Sequence, residues 1–146
     1  MISKIDFVDT VKQICKDDPV RPSIPAEWRV DKGRDVWLYT NKDQGPFFYR
    51  SACCVAFVNS VPISEMDMLH RVHTGNIAVA YTVWSKEKGA GRKILLDLQQ
   101  KYKDNNNVKR FVTLSPKTEM AMKFHLSNGA TLLQENETTN NFEYSL

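Results

Sequence analysis

The stretch Tyr81-Thr82-Val83-Trp84-Ser85-Lys86-Glu87-Lys88-Gly89-Ala90-Gly91-Arg92-Lys93 passes from β-branched and aromatic residues, through a glycine loop, into Ile94-Leu95-Leu96-Asp97-Leu98, whose apolar positions recur at helical spacing. The order is strand, turn, helix. A helix entered through residues that lack a Cβ turns free N–H groups and the positive end of its dipole toward whatever lies in front of it. That is an anion site, and a pyrophosphate-bearing cofactor is its first candidate ligand.

The rest of the chain supplies the partners such a unit needs. Ile5, Val8, Val11, Ile14 and Cys15 recur at helical spacing up to Lys16-Asp17-Asp18-Pro19, which predicts a first amphipathic helix. Pro19, Pro22 and Pro25 then predict an extended connector. Asp35 to Thr40 and Phe47 to Asn59 read as neighbouring antiparallel strands around the turn cluster Asn41-Lys42-Asp43-Gln44-Gly45-Pro46. Glu65-Met66-Asp67-Met68-Leu69 fits a short helix or an irregular lid. Beyond it come a strand over 76–84, a helix over 92–103, a strand over 108–114 and a helix over about 118–127, stopped by Asn128-Gly129. Two short strands, Thr131 to Gln134 and Asn141 to Tyr144, close the chain.

This order predicts an α+β domain with a mixed sheet, in which 76–114 forms a right-handed parallel crossover whose two strands sit centrally. With 146 residues and 42% hydrophobic content, one domain over 1–146 is expected. The formal charge of +3 is modest and the basic residues are scattered except around Lys86 to Lys93, so a local anionic ligand is expected rather than nucleic acid. No apolar run approaches the roughly 20 residues of a membrane span. The N-terminus has no secretory pattern, and a soluble, cytoplasmic protein is expected. Cys15, Cys53 and Cys54 read as buried, reduced thiols, the adjacent pair pointing to opposite faces of a strand.

Lys86-x-x-Gly89-x-Gly91 is similar to the acyl-CoA loop of the GNAT acyltransferase superfamily, written Q/R-x-x-G-x-G/A between a strand and a helix. A dinucleotide fingerprint would want a third glycine and an acidic residue further on, and a Walker loop would want Gly-Lys-Ser/Thr. Ala121-Met122-Lys123-Phe124-His125-Leu126-Ser127-Asn128-Gly129-Ala130 resembles the GNAT pattern A-x-x-F-Y-x-K-x-G-F, with His125 for the tyrosine and Ala130 for the last phenylalanine. Phe111-Val112-Thr113-Leu114-Ser115-Pro116 and Phe124 to Ala130 further resemble the catalytic domain of malonyl-CoA decarboxylase, itself a GNAT fold. That likeness extends weakly to Val55 to Pro62 and to Phe142-Glu143-Tyr144. In the decarboxylases a long helical insertion separates the two segments, which nine residues join here, and a helical N-terminal domain has no counterpart in these 146 residues.

The resemblance implies a mostly antiparallel central sheet with helices on both faces, and an acetyl-CoA or malonyl-CoA thioester as co-substrate without a metal. Thr82 and Val83 would pair with the pantetheine arm. Lys86, Lys88, Gly89, Ala90, Gly91 and Arg92 would hold the pyrophosphate, with Lys93 adding charge. His125 would give or take a proton at the thioester, and Ser115 would orient a substrate carboxylate or the thioester oxygen. The first functional expectation is acyl transfer to an amine or other small-molecule or peptide acceptor. Malonyl-type decarboxylation and a non-catalytic CoA-binding module are the alternatives, and the oligomeric state stays open.

Each residue also has a plainer reading. The glycine loop fits a solvated turn, His125 a core histidine with a satisfied hydrogen bond, and Ser115-Pro116 a helix N-cap followed by a first-turn proline. His70 and His73 share a His-x-x-His spacing and are expected to be solvated rather than metal-bound. Trp28, Trp37 and Phe47-Phe48-Tyr49 are expected in the core. Met66, Met68, Met120 and Met122 belong there too, or line an acyl or acceptor pocket.

Overall fold

The computed structural model describes residues 1–41 and 44–146; Lys42 and Asp43 of the turn cluster lie outside the described residues. Its elements run β1 (Ile2–Ile5), α1 (Val8–Cys15), α2 (Ala26–Val30), β2 (Arg34–Tyr39), β3 (Ser51–Val58), α3 (Glu65–His70), β4 (Ile77–Ser85), α4 (Ala90–Lys103), β5 (Arg110–Thr113), β6 (Ser115–Pro116), α5 (Glu119–Ser127), β7 (Thr131–Glu135) and β8 (Thr139–Tyr144). The described strands form one eight-stranded sheet in the order β1-β2-β3-β4-β5-β8-β6, with β7 on β8. Only β4 and β5 run parallel, joined across α4, and both are central, as the sequence predicts.

Period-two alternation along the strands divides the core into two layers. One face packs Val36, Leu38, Cys54, Val79 and Tyr81 beneath α1, α2 and Met68 of α3. The other packs Cys53, Val55, Ala78, Ala80, Phe111 and Phe142 beneath Ile94, Leu95 and Leu98 of α4, with Met122 and Phe124 of α5 against its edge. The three α4 side chains are fully buried and each contributes about 1.5–3 kcal/mol. Cys53 and Cys54 face opposite layers, and all three cysteines are free and buried. No helix is long and apolar enough to cross a membrane among the described residues.

Several local expectations are corrected. Ile2–Ile5 is not the start of a helix but an edge strand paired with β2, so the helix begins only at Val8. The proline connector is interrupted by α2, where Pro25 occupies the N-cap position before Ala26. Phe47 and Phe48 lie outside the strand on a 3₁₀ turn and are more than half exposed, whereas Tyr49 is buried. Met66 and Met120 are also exposed. His73 is buried rather than solvated: its ring stands edge-on to Trp28, and its Nδ1 lies 3.0 Å from the Arg34 guanidinium. Thr118, not Ser115, caps α5, its hydroxyl accepting the Ala121 N–H, because Ser115-Pro116 is drawn into a strand against β8.

The stop of α5 matches the sequence reading and its cause: the helix ends at Ser127, and beyond the Asn128 cap Gly129 has φ +95°, the left-handed conformation, with Ala130 N–H bonded to His125 O and Gly129 N–H to Leu126 O. Asp18 and Arg29, both with fully buried side chains, form an ion pair at 2.8 Å that anchors the proline-rich segment. Asp18 also accepts the N–H groups of Val20 and Arg21, and Arg29 donates to the carbonyls of Ile24 and Arg21, so the pair's remaining capacity is satisfied.

Candidate active site

The site begins with a β-bulge. Cys54 stands opposite Thr82 but Val55 stands opposite Ala80, so Tyr81 is an extra residue in β4. Tyr81 and Thr82 consequently point to the same face: Tyr81 packs on Trp28, and the Thr82 hydroxyl donates to Asp18 at 2.9 Å. Beyond the bulge Lys86 N–H bonds to Arg50 O of the neighbouring chain segment. By antiparallel alternation Thr82 and Trp84 also spend their backbone groups on β3, and Val83 and Ser85 turn theirs to the opposite edge.

That edge has no strand beside it. The last β4–β5 register pair is Ala80 with Thr113, and Leu114 N–H still reaches Ala80 O at 3.0 Å. After that β8 draws the chain away, pairing Ser115 with Asn140. The two central strands therefore part immediately after the bulge, and the parting is bridged by a side chain. Arg21 donates through Nε to Tyr81 O and through a terminal nitrogen to Leu114 O, both at 2.8 Å, and its other terminal nitrogen meets Glu65 at 3.3 Å. Arg21 lies in the proline-rich segment, where nothing in the sequence marks it; only the fold brings it there.

At the far end of the open edge stands the glycine loop. Gly89 is the N-cap of α4 with φ +83°. Ala90 N–H bonds to Glu87 O and Lys93 N–H to Gly89 O, whereas the N–H groups of Lys88, Gly89, Gly91 and Arg92 meet no acceptor among the described residues. These free N–H groups lie in the segment where the sequence predicts a cradle. Gly91 lies against α5: a Cβ there would approach the Phe124 ring at 3.4 Å. The basic side chains are less convergent. Lys86 lies over the Tyr49 ring and reaches Asp17 at 3.5 Å, Lys93 pairs with Asp97, and Arg92 donates to Ser127 O at the end of α5. Lys88 has no charged partner among the described residues and is exposed.

His125 is buried on α5, stacked on Phe142 with Phe124 edge-on. Its Nδ1 lies 2.8 Å from the Tyr144 hydroxyl, and that oxygen also receives the Asn128 amide at 3.2 Å. The Asn128 carbonyl in turn faces the Arg92 guanidinium at 3.4 Å. The phenol proton has no acceptor other than Nδ1 among the described residues, so with Asn128 donating to the oxygen the phenol donates to Nδ1, and the imidazole proton resides on Nε2. Burial pulls the His125 pKa down to about 4 and pushes Tyr144 up, so near neutral pH the ring is an uncharged Nε2–H donor. No protein acceptor takes that N–H among the described residues. Ser115 is buried on β6 with its hydroxyl 2.8 Å from that of Thr113.

The structure places Val83 on the unpaired edge of β4 and Gly89, Ala90, Gly91 and Arg92 at the start of α4, turns Thr82 into the buried Asp18 cluster, and turns Lys86 toward Asp17. Tyr144, Asn128 and Arg21 join the predicted residues. A cavity of about 510 Å³ lined by Asn59, Thr74, Gly75, Asn76 and Asn107 lies at the opposite end of β4 and holds none of them.

No protein-family model matches the chain. No curated protein sequence matches it either. Solved structures do. Malonyl-CoA decarboxylase from Agrobacterium vitis aligns over 100% of this chain and 60% of its own, at 16% identity and TM-score 0.75. An acetyltransferase from Bacillus subtilis solved in complex with CoA aligns over 99% and 97%, at 10% identity and TM-score 0.66. A GNAT-family structure from Desulfovibrio desulfuricans aligns over 99% and 98%, at 10% identity and TM-score 0.64. The chain thus has the GNAT fold, and it spans about three-fifths of the length of the decarboxylase.

Proposed function

We propose that this chain is an acyl-CoA-dependent enzyme that transfers an acyl group from the CoA thioester to an amine or another small acceptor. The observation behind this reading is the unpaired β4 edge, which runs from the bulge to the free N–H groups at the start of α4. A pantetheine arm is an extended chain with two amides and would add to that edge beside Val83 as a short strand. The pyrophosphate would sit on the N–H groups of Lys88, Gly89, Gly91 and Arg92, with Lys88 as its free cation.

The thioester carbonyl would then accept the Val83 N–H, the donor best placed to strengthen its bond as the oxygen becomes an oxyanion. Attack by the acceptor forms the new acyl bond and the carbon–sulfur bond breaks, the electron pair leaving on the thiolate. His125 would hydrogen-bond that thiolate through Nε2–H. A ring that is neutral, with Nδ1 already occupied, serves as a donor and not as a general base, so the acceptor's proton goes to solvent.

The same state of His125 favours a second reading, decarboxylation of a malonyl-type thioester. There the carbon–carbon bond breaks, carbon dioxide leaves, and the electron pair forms an enolate whose oxygen needs neutral donors rather than a base. Ser115 would orient the departing carboxylate, and water would protonate the carbon.

Calorimetric titration with acetyl-CoA and malonyl-CoA, followed by mass analysis of the recovered thioester, tests both readings. Binding that Gly91→Glu abolishes is the expected result, and conversion of malonyl-CoA to acetyl-CoA without an acceptor would select the second reading. Absence of binding at millimolar thioester would overturn both.

A further inference from the structure

Asn140 is 1% exposed, and its carboxamide oxygen has no hydrogen-bond partner. Its neighbours show how unusual that is. Thr139 donates to Ile63 O, and Asn141 donates to both Pro62 O and Thr113 O, each side chain fully used. Alternation along β8 sends those two toward the α3 side, and sends Asn140 to the other face with Phe142 and Tyr144, on which His125 packs. A buried carboxamide oxygen without a partner is a standing cost to the fold, and a ligand is one reason for a sequence to retain it.

Ser115 is directly opposite Asn140 in register. Side chains of such a pair share a face, with Cβ atoms about 4.5–5.5 Å apart. Phe142 N–H donates to the Thr113 hydroxyl oxygen at 3.0 Å, and the Thr113 and Ser115 hydroxyls share one bond in which either can donate. In both cases the pair keeps one O–H with no acceptor among the described residues, on the face it shares with the Asn140 oxygen, an acceptor without a donor. The two do not bond to each other. A single group placed between them must accept from one and donate to the other, as a hydroxyl does and a carboxylate does not. The cations nearby are turned elsewhere: Lys117 donates to Asn136 O, Lys123 pairs with Glu119 at the surface, and Glu135 stands across from Asn140 on β7.

We propose that Ser115 and Asn140 form a subsite for the acyl end of the thioester, and that it reads a neutral hydroxyl on the acyl chain, as in a 3-hydroxyacyl-CoA. This inference rests on the acyl-CoA reading above. Ser115 follows the residue at which β5 leaves β4, and Val83 faces the same layer of the sheet, so an acyl group held at Val83 would lie on the face that carries this pair.

The test compares CoA, butyryl-CoA and 3-hydroxybutyryl-CoA on the native protein and on Asn140→Leu, an apolar residue of similar size. The native protein should bind the hydroxylated thioester about tenfold more tightly than butyryl-CoA. In Asn140→Leu that preference should vanish while affinity for CoA is kept, and the ligand-free variant should melt roughly 2–4 °C higher. A melting point that falls instead would show a structural amide and overturn the proposal. CoA binding without discrimination between the two thioesters overturns this proposal alone, a comparison that holds even if the variant does not fold. No binding of CoA removes the acyl-CoA reading and the subsite with it.

Discussion

The Tyr144 hydroxyl stands 2.8 Å from Nδ1 of His125 and receives the Asn128 amide, and since its own proton has no acceptor other than Nδ1 among the described residues, the proton between them belongs to the phenol. A single hydroxyl thereby decides which face of the imidazole can donate. Tyr144→Phe removes that constraint without changing the ring stack. Turnover should fall roughly 10–100-fold with KM for the thioester nearly unchanged, on the order of the effect of losing a positioned donor or acid. Stability should fall by about 1 kcal/mol, measured by urea unfolding. Turnover equal to that of the native protein would remove Tyr144 from the mechanism.

The depressed pKa of His125 makes stability depend on pH in a definite direction. The unfolded chain takes up a proton near pH 6.5 and the folded chain only near 4, so this contribution is fully present above about 6.5 and is lost as pH falls toward 4. The loss should be on the order of 3 kcal/mol. Urea unfolding at pH 7 and pH 4.5 should show this drop in the native protein and a smaller one in His125→Asn. Equal pH dependence in the two proteins would mean that His125 titrates freely when folded.

Asp18→Asn leaves the Arg29 guanidinium without its counter-charge in a site from which water is excluded. A destabilisation of about 3–5 kcal/mol is expected from chemical denaturation. A change below about 1 kcal/mol would place the pair in the surface class instead.

The two cradle glycines should differ. Gly89 has φ +83° and open space around it, so Gly89→Ala costs about 1 kcal/mol through backbone strain alone. Gly91 has an ordinary helical conformation, and a Cβ there would meet the edge of Phe124 at 3.4 Å and Ser85 Cβ at 3.8 Å, so Gly91→Ala should fold normally and Gly91→Glu should fold without binding CoA. Melting curves and thioester titration of the three variants separate strain from ligand exclusion.

Arg21→Lys should weaken the junction of β4 and β5, because a point-like ammonium cannot serve two carbonyls and a carboxylate in one plane. A loss of about 1–3 kcal/mol is expected, with faster amide exchange at Leu114. Unchanged exchange there would show that the parting is held by the backbone alone.

The central unit was legible because its signals are local. The β-branched and aromatic run of 76–84, the helix stop at Asn128-Gly129 and the apolar spacing of Ile94, Leu95 and Leu98 each act within one element, and all three match the structure with only small shifts at the ends. The bulge at Tyr81 was not, because an extra residue exists only relative to the register of β3. Ile5 fell by coincidence on the helical spacing of Val8 and Val11 while belonging to an edge strand. The aromatic Phe47 and Phe48 looked like core, but Gly45-Pro46 turns the chain outward before β3 begins. Of the site, the cradle and His125 were visible as motifs. Arg21, Tyr144 and Asn128 were not, because their roles depend on contacts across the fold.

Arg21 is separated by 60 residues from one of the carbonyls it joins and by 93 from the other. Local pairing of β2, β3 and β4 can proceed early, but the junction that defines the crevice must wait for closure of these long loops, which is slow. The junction of β4 and β5 is thus a late product of folding. A partly folded chain would have its helices and most of its sheet, and still lack the crevice proposed to hold a thioester.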